Sequence, residues 1–345
     1  MTDITQSYDP TAQADSRELM QKVKPQIDGA RKEGYDTGYA KGVAEAPKPV
    51  GDVRVSSYEG CGSFEVSFSP NLYTSDTLTP NLISIGISPN DSYSYVYPQV
   101  TISLPRIKTC EGVPVDYSGS VRTMFTLDLE NCEDVADGAF NGVHGVNYSP
   151  WSGADLPLRR IGDHAFAGIS ELYIADLKNC EELGCGAFEG SIMQGSISLP
   201  KCLTIPEGAF ESFTGSSIFA DSCTSIRDRA FCDCEVWNNE LSFGECTSVG
   251  EGAFQYYGGH EGEDNRPGPL TQIYLPKCTQ IGADAFRGLS ALYSLDLSSL
   301  PLRDIKEGAY AWGLDSVDLP ENCTVWYLGE DGAPTTTTLD TILND

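Results

Sequence analysis

Eight times along its C-terminal two thirds the chain returns to one short phrase, seen most plainly as LPKCLTIPEGAF at residues 199–210. An internal period of this length confines a chain to a solenoid, because one such unit cannot bury its own apolar face and must stack on its neighbours. The phrase closes on Phe140, Phe166, Phe188, Phe210, Phe231, Phe254, Phe286 and Tyr310, at steps of 26, 22, 22, 21, 23, 32 and 24 residues. Five of these seven steps lie within two residues of 23, so one coil geometry serves most of the array.

The register within the phrase says what each position does. Five residues before the aromatic stand Val135, Ile161, Leu183, Ile205, Ile226, Val249, Ile281 and Ile305, an inward apolar column. Eight before it stand Cys132, Leu158, Cys180, Cys202, Cys223, Cys246, Cys278 and Leu302. Leucine replaces cysteine there, so the slot takes a medium apolar side chain and the six cysteines are expected as buried free thiols. Pairs such as Ile197 and Leu199, or Ile273 and Leu275, alternate as a half-buried strand does. The Gly-Ala before the aromatic gives a tight turn and leaves room for the ring between coils. Eight coils at about 4.8 Å each make a parallel sheet about 40 Å long. The stretches at 155–158 and before Arg303 fit the template poorly and predict distorted coils. A weaker earlier coil is expected through Ile102, Leu104 and Ile107, and another follows at Val317, Leu319 and Cys323.

The consensus L-P-x-C-x-x-I-x-x-G-A-F resembles the BspA-type leucine-rich repeat family, whose members are found on bacterial surfaces and in proteins encoded by gut phages. The match spans about residues 121–328. It implies a curved leucine-rich-repeat solenoid used for binding, with no catalytic activity and no cofactor. The expected fold is therefore α+β but mainly β. Residues 1–48 form a helical anchor or oligomerisation segment, 49–120 a β module or N-terminal cap with a degenerate first repeat, 121–328 the solenoid and 329–345 a C-terminal tail.

Of 345 residues, 50 are acidic and 22 are Lys or Arg, a net charge of −28. Residues 1–48 carry only about −1 of it, with eight acids against seven bases, so the solenoid is a polyanion. Phosphate backbones and anionic membrane surfaces are repelled, which excludes nucleic acid as a partner and disfavours membrane association. The acidity also keeps an apolar-cored solenoid soluble. Of the cysteines outside the repeat slot, Cys232 and Cys234 form a C-x-C without a second Cys or His pair at finger spacing, so no metal is assigned. Many reduced thiols suit a reducing cytoplasm. The first twenty residues show neither a basic n-region nor an apolar h-region, so no export signal is expected, and no stretch has the length of a membrane span.

Residues 16–46 read as helix, with Pro25 at a kink or first turn. Gly34, Gly38 and Gly42 recur every fourth position, with Tyr35 and Tyr39 following the first two. Three helical glycines cost about 3 kcal/mol relative to alanine, so a close-packed contact is expected to compensate. This G-Y-x-x-G-Y-x-x-G segment looks like N-terminal segments on structural proteins of tailed phages. The resemblance implies a virion component assembled in the host cytoplasm, joined to other virion proteins or to copies of itself through this segment. A bacterial surface adhesin and an intracellular protein-binding scaffold are the alternatives. Residues 50–100 alternate as strands at Val53 and Val55, at Phe64, Val66 and Phe68, and from Leu82 to Ile87.

No catalytic motif appears. His164 replaces the turn glycine in GDHAF, while His144 and His260 lie in stretched loops. For binding, the outward strand position gives Asp128, Asp176, Ser198, Phe219, Ser242 and Tyr274, extended by Asp296 and Asp318, a ladder without Arg or Lys. The stretched loops add Tyr148 and Trp151 at 141–153, and Tyr256 and Tyr257 at 255–269. Insertions in solenoids gather on one face and often bind. The expected ligand is a host-surface protein or glycan.

Overall fold

The computed structural model describes residues 107–112, 124–128, 130–141, 143–148, 156–174, 177–193, 195–237, 240–258, 270–314, 319–320 and 322–344, and elsewhere the strands Thr2–Gln6, Val53–Tyr58, Ser63–Phe68, Thr77–Leu78, Ile85–Gly86, Gln99–Ser103 and Val115–Asp116. The fold is mainly β, a parallel-strand leucine-rich-repeat solenoid with few helices. It divides into two compact units, residues 1–158 with 171–175, and residues 159–170 with 176–345. The proposed anchor residues Gly34, Tyr35, Gly38, Tyr39 and Gly42 lie outside the described residues. Among the described residues no helix is long and apolar enough to cross a membrane.

In the first unit, Val53–Tyr58 and Ser63–Phe68 form an antiparallel pair, and Thr2–Gln6 adds to its outer edge. Ser63–Phe68 then pairs in parallel with Gln99–Ser103, and that strand with Met124–Asp128. The antiparallel pair thus joins the edge of the sheet that the coil strands continue. Ile102 pairs with Leu127 and Ile107 is fully buried, so the degenerate early coil follows the repeat register. The next strand comes from the stretched segment itself, Gly145–Tyr148 pairing with Met124–Leu127 on one side and Glu171–Ile174 on the other.

The second unit is the regular array. Its outer strands pair in parallel as Ser196–Ser198 with Ser217–Phe219, and as Glu240–Ser242, Gln272–Tyr274, Ser294–Pro301 and Thr324–Leu328 in that order. A second ladder of two-residue strands carries the inward column five before each aromatic, from Thr204–Ile205 to Gln280–Ile281. The rings of Phe166, Phe188, Phe210, Phe231, Phe254 and Phe286 stack face to face, with centroids 5.4–6.1 Å apart and planes within 7° of parallel. Backbone bonds fix that stack, for Phe188 N–H donates to the Ala209 carbonyl at 2.9 Å and Phe210 N–H to the Ala230 carbonyl at 2.8 Å.

The alanine of each Gly-Ala pair is buried beside its ring, and the preceding turn is left-handed, as at Gly186 and Gly208. His164, Arg229 and Asp284 adopt the same conformation with φ of 51–55°. Gly184 is required for another reason. A Cβ there would stand 2.3 Å from the backbone of Gly162 and Asp163 in the preceding coil.

A further buried column, three residues after each aromatic, escapes the sequence register: Val143, Ile169, Ser191, Phe213, Cys234, Tyr257 and Leu289. Ser191 fits it by donating its hydroxyl to the Phe188 carbonyl at 2.8 Å. Cys234 is a member, so the C-x-C is explained by packing. Among the described residues no three His, Cys, Asp or Glu side chains converge as a metal site requires.

One expectation fails at the C-terminal end. Tyr310 does not close the last coil: it is 68 % exposed, because the helix Leu302–Gly308 replaces the template and shifts the register. Asp284 N–H donates to the Ala311 carbonyl at 2.7 Å, the role played elsewhere by the residue three before the aromatic, and the buried residue three after Ala311 is Leu314. The final parallel strand is Thr324–Leu328, with Leu295 opposite Val325; of the coil expected through Val317, Leu319 and Cys323, Leu319 and Cys323 are buried and Val317 lies outside the described residues. Residues 334–344 continue the sheet and end in a short helix. Pro334–Thr338 pairs antiparallel with Thr324–Leu328, and the helix Leu339–Asn344 buries Leu339 and Ile342.

The six slot cysteines are fully buried. Five donate Sγ–H to the carbonyl two residues on, at 3.2–3.4 Å for Cys132, Cys180, Cys223, Cys246 and Cys278, while Cys202 donates to Cys180 O at 3.2 Å. Leucine fills the same space without that bond. Burial pushes the Cys223 and Cys278 thiols up to about 11 and Cys246 up to about 12, from an ordinary 9.0. These groups keep their protons when folded and lose them when unfolded. Their stabilisation is therefore full below about pH 9 and lost as pH rises towards the folded values, by about 1.4 kcal/mol per pH unit for each such thiol. Denaturant titrations from pH 8 to 11 are expected to show a steep fall in stability, and alkylation of the native chain at pH 8 should label exposed Cys185 while sparing the six. Rapid native labelling of the six would contradict the packing.

Candidate functional site

On the five-stranded C-terminal sheet, parallel pairing puts Ser242, Tyr274, Asp296 and Trp326 opposite one another on four successive strands, and Thr336 opposite Trp326 on the antiparallel strand. Leu241, Ile273, Leu295 and Val325 precede them and are buried, so alternation turns this row outward. Tyr274 is 48 % exposed and Trp326 39 %. A second row lies two residues back along the strands: Glu240, Gln272, Ser294 and Thr324. Gln272 Nε2 donates to Glu240 Oε1 at 2.9 Å and also to the Tyr293 hydroxyl, which tethers the half-exposed Tyr293 beside the stripe. One oxygen of Asp296 accepts the Ser298 N–H at 2.9 Å. Lys277, three residues beyond Tyr274, is engaged by Glu245 at 2.6 Å. The result is a flat stripe of aromatic, carboxylate and hydroxyl groups.

Elsewhere in the second unit, Phe219 is 46 % exposed opposite Ser198, on a two-stranded sheet with no acidic partner in its row. A shallow depression of about 750 Å³ is lined by residues that include Glu181, Pro200, Lys201 and exposed Leu203. Lys201 donates there to Asn179 at 2.9 Å. In the first unit, Tyr173 is exposed opposite Asn147.

Six repeat copies at residues 129–259 and 267–329, more than half of the chain, match the model of the BspA type leucine rich repeat region. The chain belongs to the BspA-type leucine-rich repeat family. No curated protein sequence matches it. Among solved structures, this BspA-type chain is similar to the pneumococcal vaccine antigen PcpA, at 14% identity over 71% of this chain and 74% of that one, with a TM-score of 0.34. It is similar to a leucine rich cell surface protein from Faecalibacterium prausnitzii A2-165, at 14% identity over 84% and 97% of the two chains, TM-score 0.27. A leucine-rich repeat protein from Bacteroides ovatus ATCC 8483 aligns at 12% identity over 86% and 100%, TM-score 0.19. With all three TM-scores below 0.5, membership of the BspA-type family rests on the repeats.

Of the residues expected to bind, the structure unites Ser242, Tyr274 and Asp296 in one row and Ser198 with Phe219 in another. Asp128 ends the strand Met124–Asp128, opposite Ser103, and Trp151 and Asp176 lie outside the described residues. Tyr148 is not displayed: it is 0 % exposed, because pairing with Leu127 and Ile174 gives it an inward position, with its hydroxyl in reach of the Cys132 thiol. Tyr257 is likewise buried at 2 % exposure, as a member of the column three after the aromatic. Tyr256 takes the left-handed turn before it and lays its ring on Gly288, where a Cβ would meet the ring at 2.2 Å. Trp326 was missed because the last strand starts later than the repeat spacing predicts. Its signal is the alternation around Val325 in TVWYL. His144 and His164 each face a glutamate, Glu171 at 3.4 Å and Glu189 at 3.1 Å.

Truncation separates display from packing. Tyr274→Ala and Trp326→Ala should change unfolding free energy by at most about 1 kcal/mol, whereas Tyr148→Ala and Tyr257→Ala should each cost about 3–5 kcal/mol in urea titrations. Equal costs in the two pairs would mean that the row assignment is wrong.

Proposed function

We propose that this chain is a non-enzymatic adhesion protein whose solenoid presents the C-terminal stripe to a host-surface protein or glycan. The observation that supports this most is the in-register row of Tyr274, Asp296 and Trp326, two rigid aromatic surfaces flanking a carboxylate on strands that neighbouring coils hold in place. Tyrosine and tryptophan offer large contact area at low entropy cost. The net charge of −28 favours neutral or cationic partners and opposes nucleic acid. BspA-type repeats are consistent with a binding scaffold.

The finer reading is attachment to a phage particle through the segment bearing Gly34, Tyr35, Gly38, Tyr39 and Gly42, with other virion proteins as partners there. What supports it is the four-residue glycine spacing alone. Membership of the BspA-type family fits a bacterial surface adhesin as well. Fractionation of producing cells and purified particles decides: the virion reading expects the chain in particles, and its loss from them when the three glycines become leucine. Recovery in the cell envelope would replace the virion by the surface reading, and recovery in cytosol alone would replace adhesion by a scaffold. In the virion and cell-surface settings, Tyr274→Ala with Trp326→Ala should reduce adherence to host cells or mucus at least about tenfold, as expected for central aromatic anchors.

A further inference from the structure

We propose that the stripe Ser242–Tyr274–Asp296–Trp326–Thr336 binds a neutral, extended β-1,4-linked polysaccharide laid across the strands. This rests on the adhesion reading of the same face and names its ligand. Tyr274 and Trp326 stand on strands two apart in a parallel sheet, hence about 10 Å from one another along the row. In an extended β-1,4-linked chain each sugar is turned over relative to the last, so the same sugar face recurs at every second residue. That repeat is about 10 Å, two strand spacings, and lets one chain set alternate sugars on the two rings.

Asp296 lies between the rings. One oxygen takes the Ser298 amide, and the carboxylate's remaining lone pairs accept hydroxyls from the intervening sugar. Ser242 and Thr336 continue the row at either end with small hydroxyl side chains.

Charge selects among ligands. The row holds no Arg or Lys, which opposes uronate, sulfate and phosphate groups. A basic peptide is the competing occupant, but this face offers it little. Glu240 is taken by Gln272 and Glu245 by Lys277, leaving Asp296 as the carboxylate of the row. A binding site with few polar groups set among aromatic surface is what an uncharged, amphipathic sugar ring needs.

The test is isothermal titration of the full chain with cellohexaose, cellobiose and hexagalacturonate, repeated with Tyr274→Ala, Trp326→Ala and Asp296→Asn and paired with the adherence assay. Cellohexaose should bind. Cellobiose, too short to cover both rings, should bind at least about tenfold more weakly, and each aromatic variant should lose about tenfold or more for the hexaose. Hexagalacturonate should not bind. Should Trp326→Ala lower the melting temperature, Tyr274→Ala, on a mid-sheet strand, decides alone. No binding of cellohexaose, or equal binding by wild type and Tyr274→Ala, overturns the proposal. If adherence still falls in the aromatic variants, the adhesive face stands and its ligand is a protein; if adherence is also unchanged, both readings fail.

Discussion

The continuous stack of six phenylalanine rings from Phe166 to Phe286 is the constraint on which the second unit depends. Each ring is the roof of one coil and the floor of the next, and a stacked pair contributes about 0.5–1.5 kcal/mol beyond its buried area. A ring can take that place only if the turn before it is tight, the residue beside it is alanine, and its backbone N–H reaches the carbonyl of the next coil. The repeated phrase is the sequence form of these three conditions. Contacts run almost wholly between neighbours, so the coil spacing propagates by local rules. Five of the six slot thiols bond within their own coil to the carbonyl two residues on, and Cys202 bonds to Cys180 O in the coil before.

The proposed binding role follows from that spacing. Strands locked coil to coil put their outward residues into rows at intervals of about 4.8 Å, a ruler on which side chains from distant sequence positions become neighbours. Tyr274, Asp296 and Trp326 come from three coils and need no loop to organise them. Their backbone positions are set by buried partners, Ile273, Leu295 and Val325, so the platform is rigid before any ligand arrives. Little ordering entropy is then lost on binding, which favours weak repetitive contacts with a polymer. In the proposed binding role, the polyanionic character of the chain would oppose phosphate and other anionic ligands.

Much of this was legible in the sequence, and the failures share a cause. The phenylalanine, cysteine and isoleucine columns could be read because they recur at constant distance within the phrase. The column of Ile169, Phe213, Cys234 and Tyr257 could not, since its chemistry varies from thiol to phenol and it falls after the aromatic that marks the end of the phrase. Tyr257 and Tyr148 therefore looked like loop residues although both are core. Tyr148 was misread for a second reason: the extra residues of its coil follow the strand, which leaves Gly145–Tyr148 in register with Met124–Leu127. At the other end, the helix Leu302–Gly308 breaks the period, so Tyr310 lost its place in the core and Trp326 went unnoticed in the stripe. Where spacing is conserved from coil to coil the chain can be read directly. Where an insertion intervenes, only strand pairing restores the register.

Hydroxyl-radical footprinting of aromatic side chains, with and without cellohexaose, tests most directly whether this face is the binding face. Tyr173, Phe219, Trp237, Tyr274, Tyr293, Tyr310 and Trp326 are all exposed and should all be oxidised in the free chain, while Tyr148 and Tyr257 should not. With ligand bound, protection is expected at Tyr274 and Trp326 together, with Tyr293 beside them, and no change at Tyr173, Trp237 or Tyr310. Protection centred on Tyr310, Trp237 or Tyr173, with Tyr274 and Trp326 still oxidised, would contradict the account.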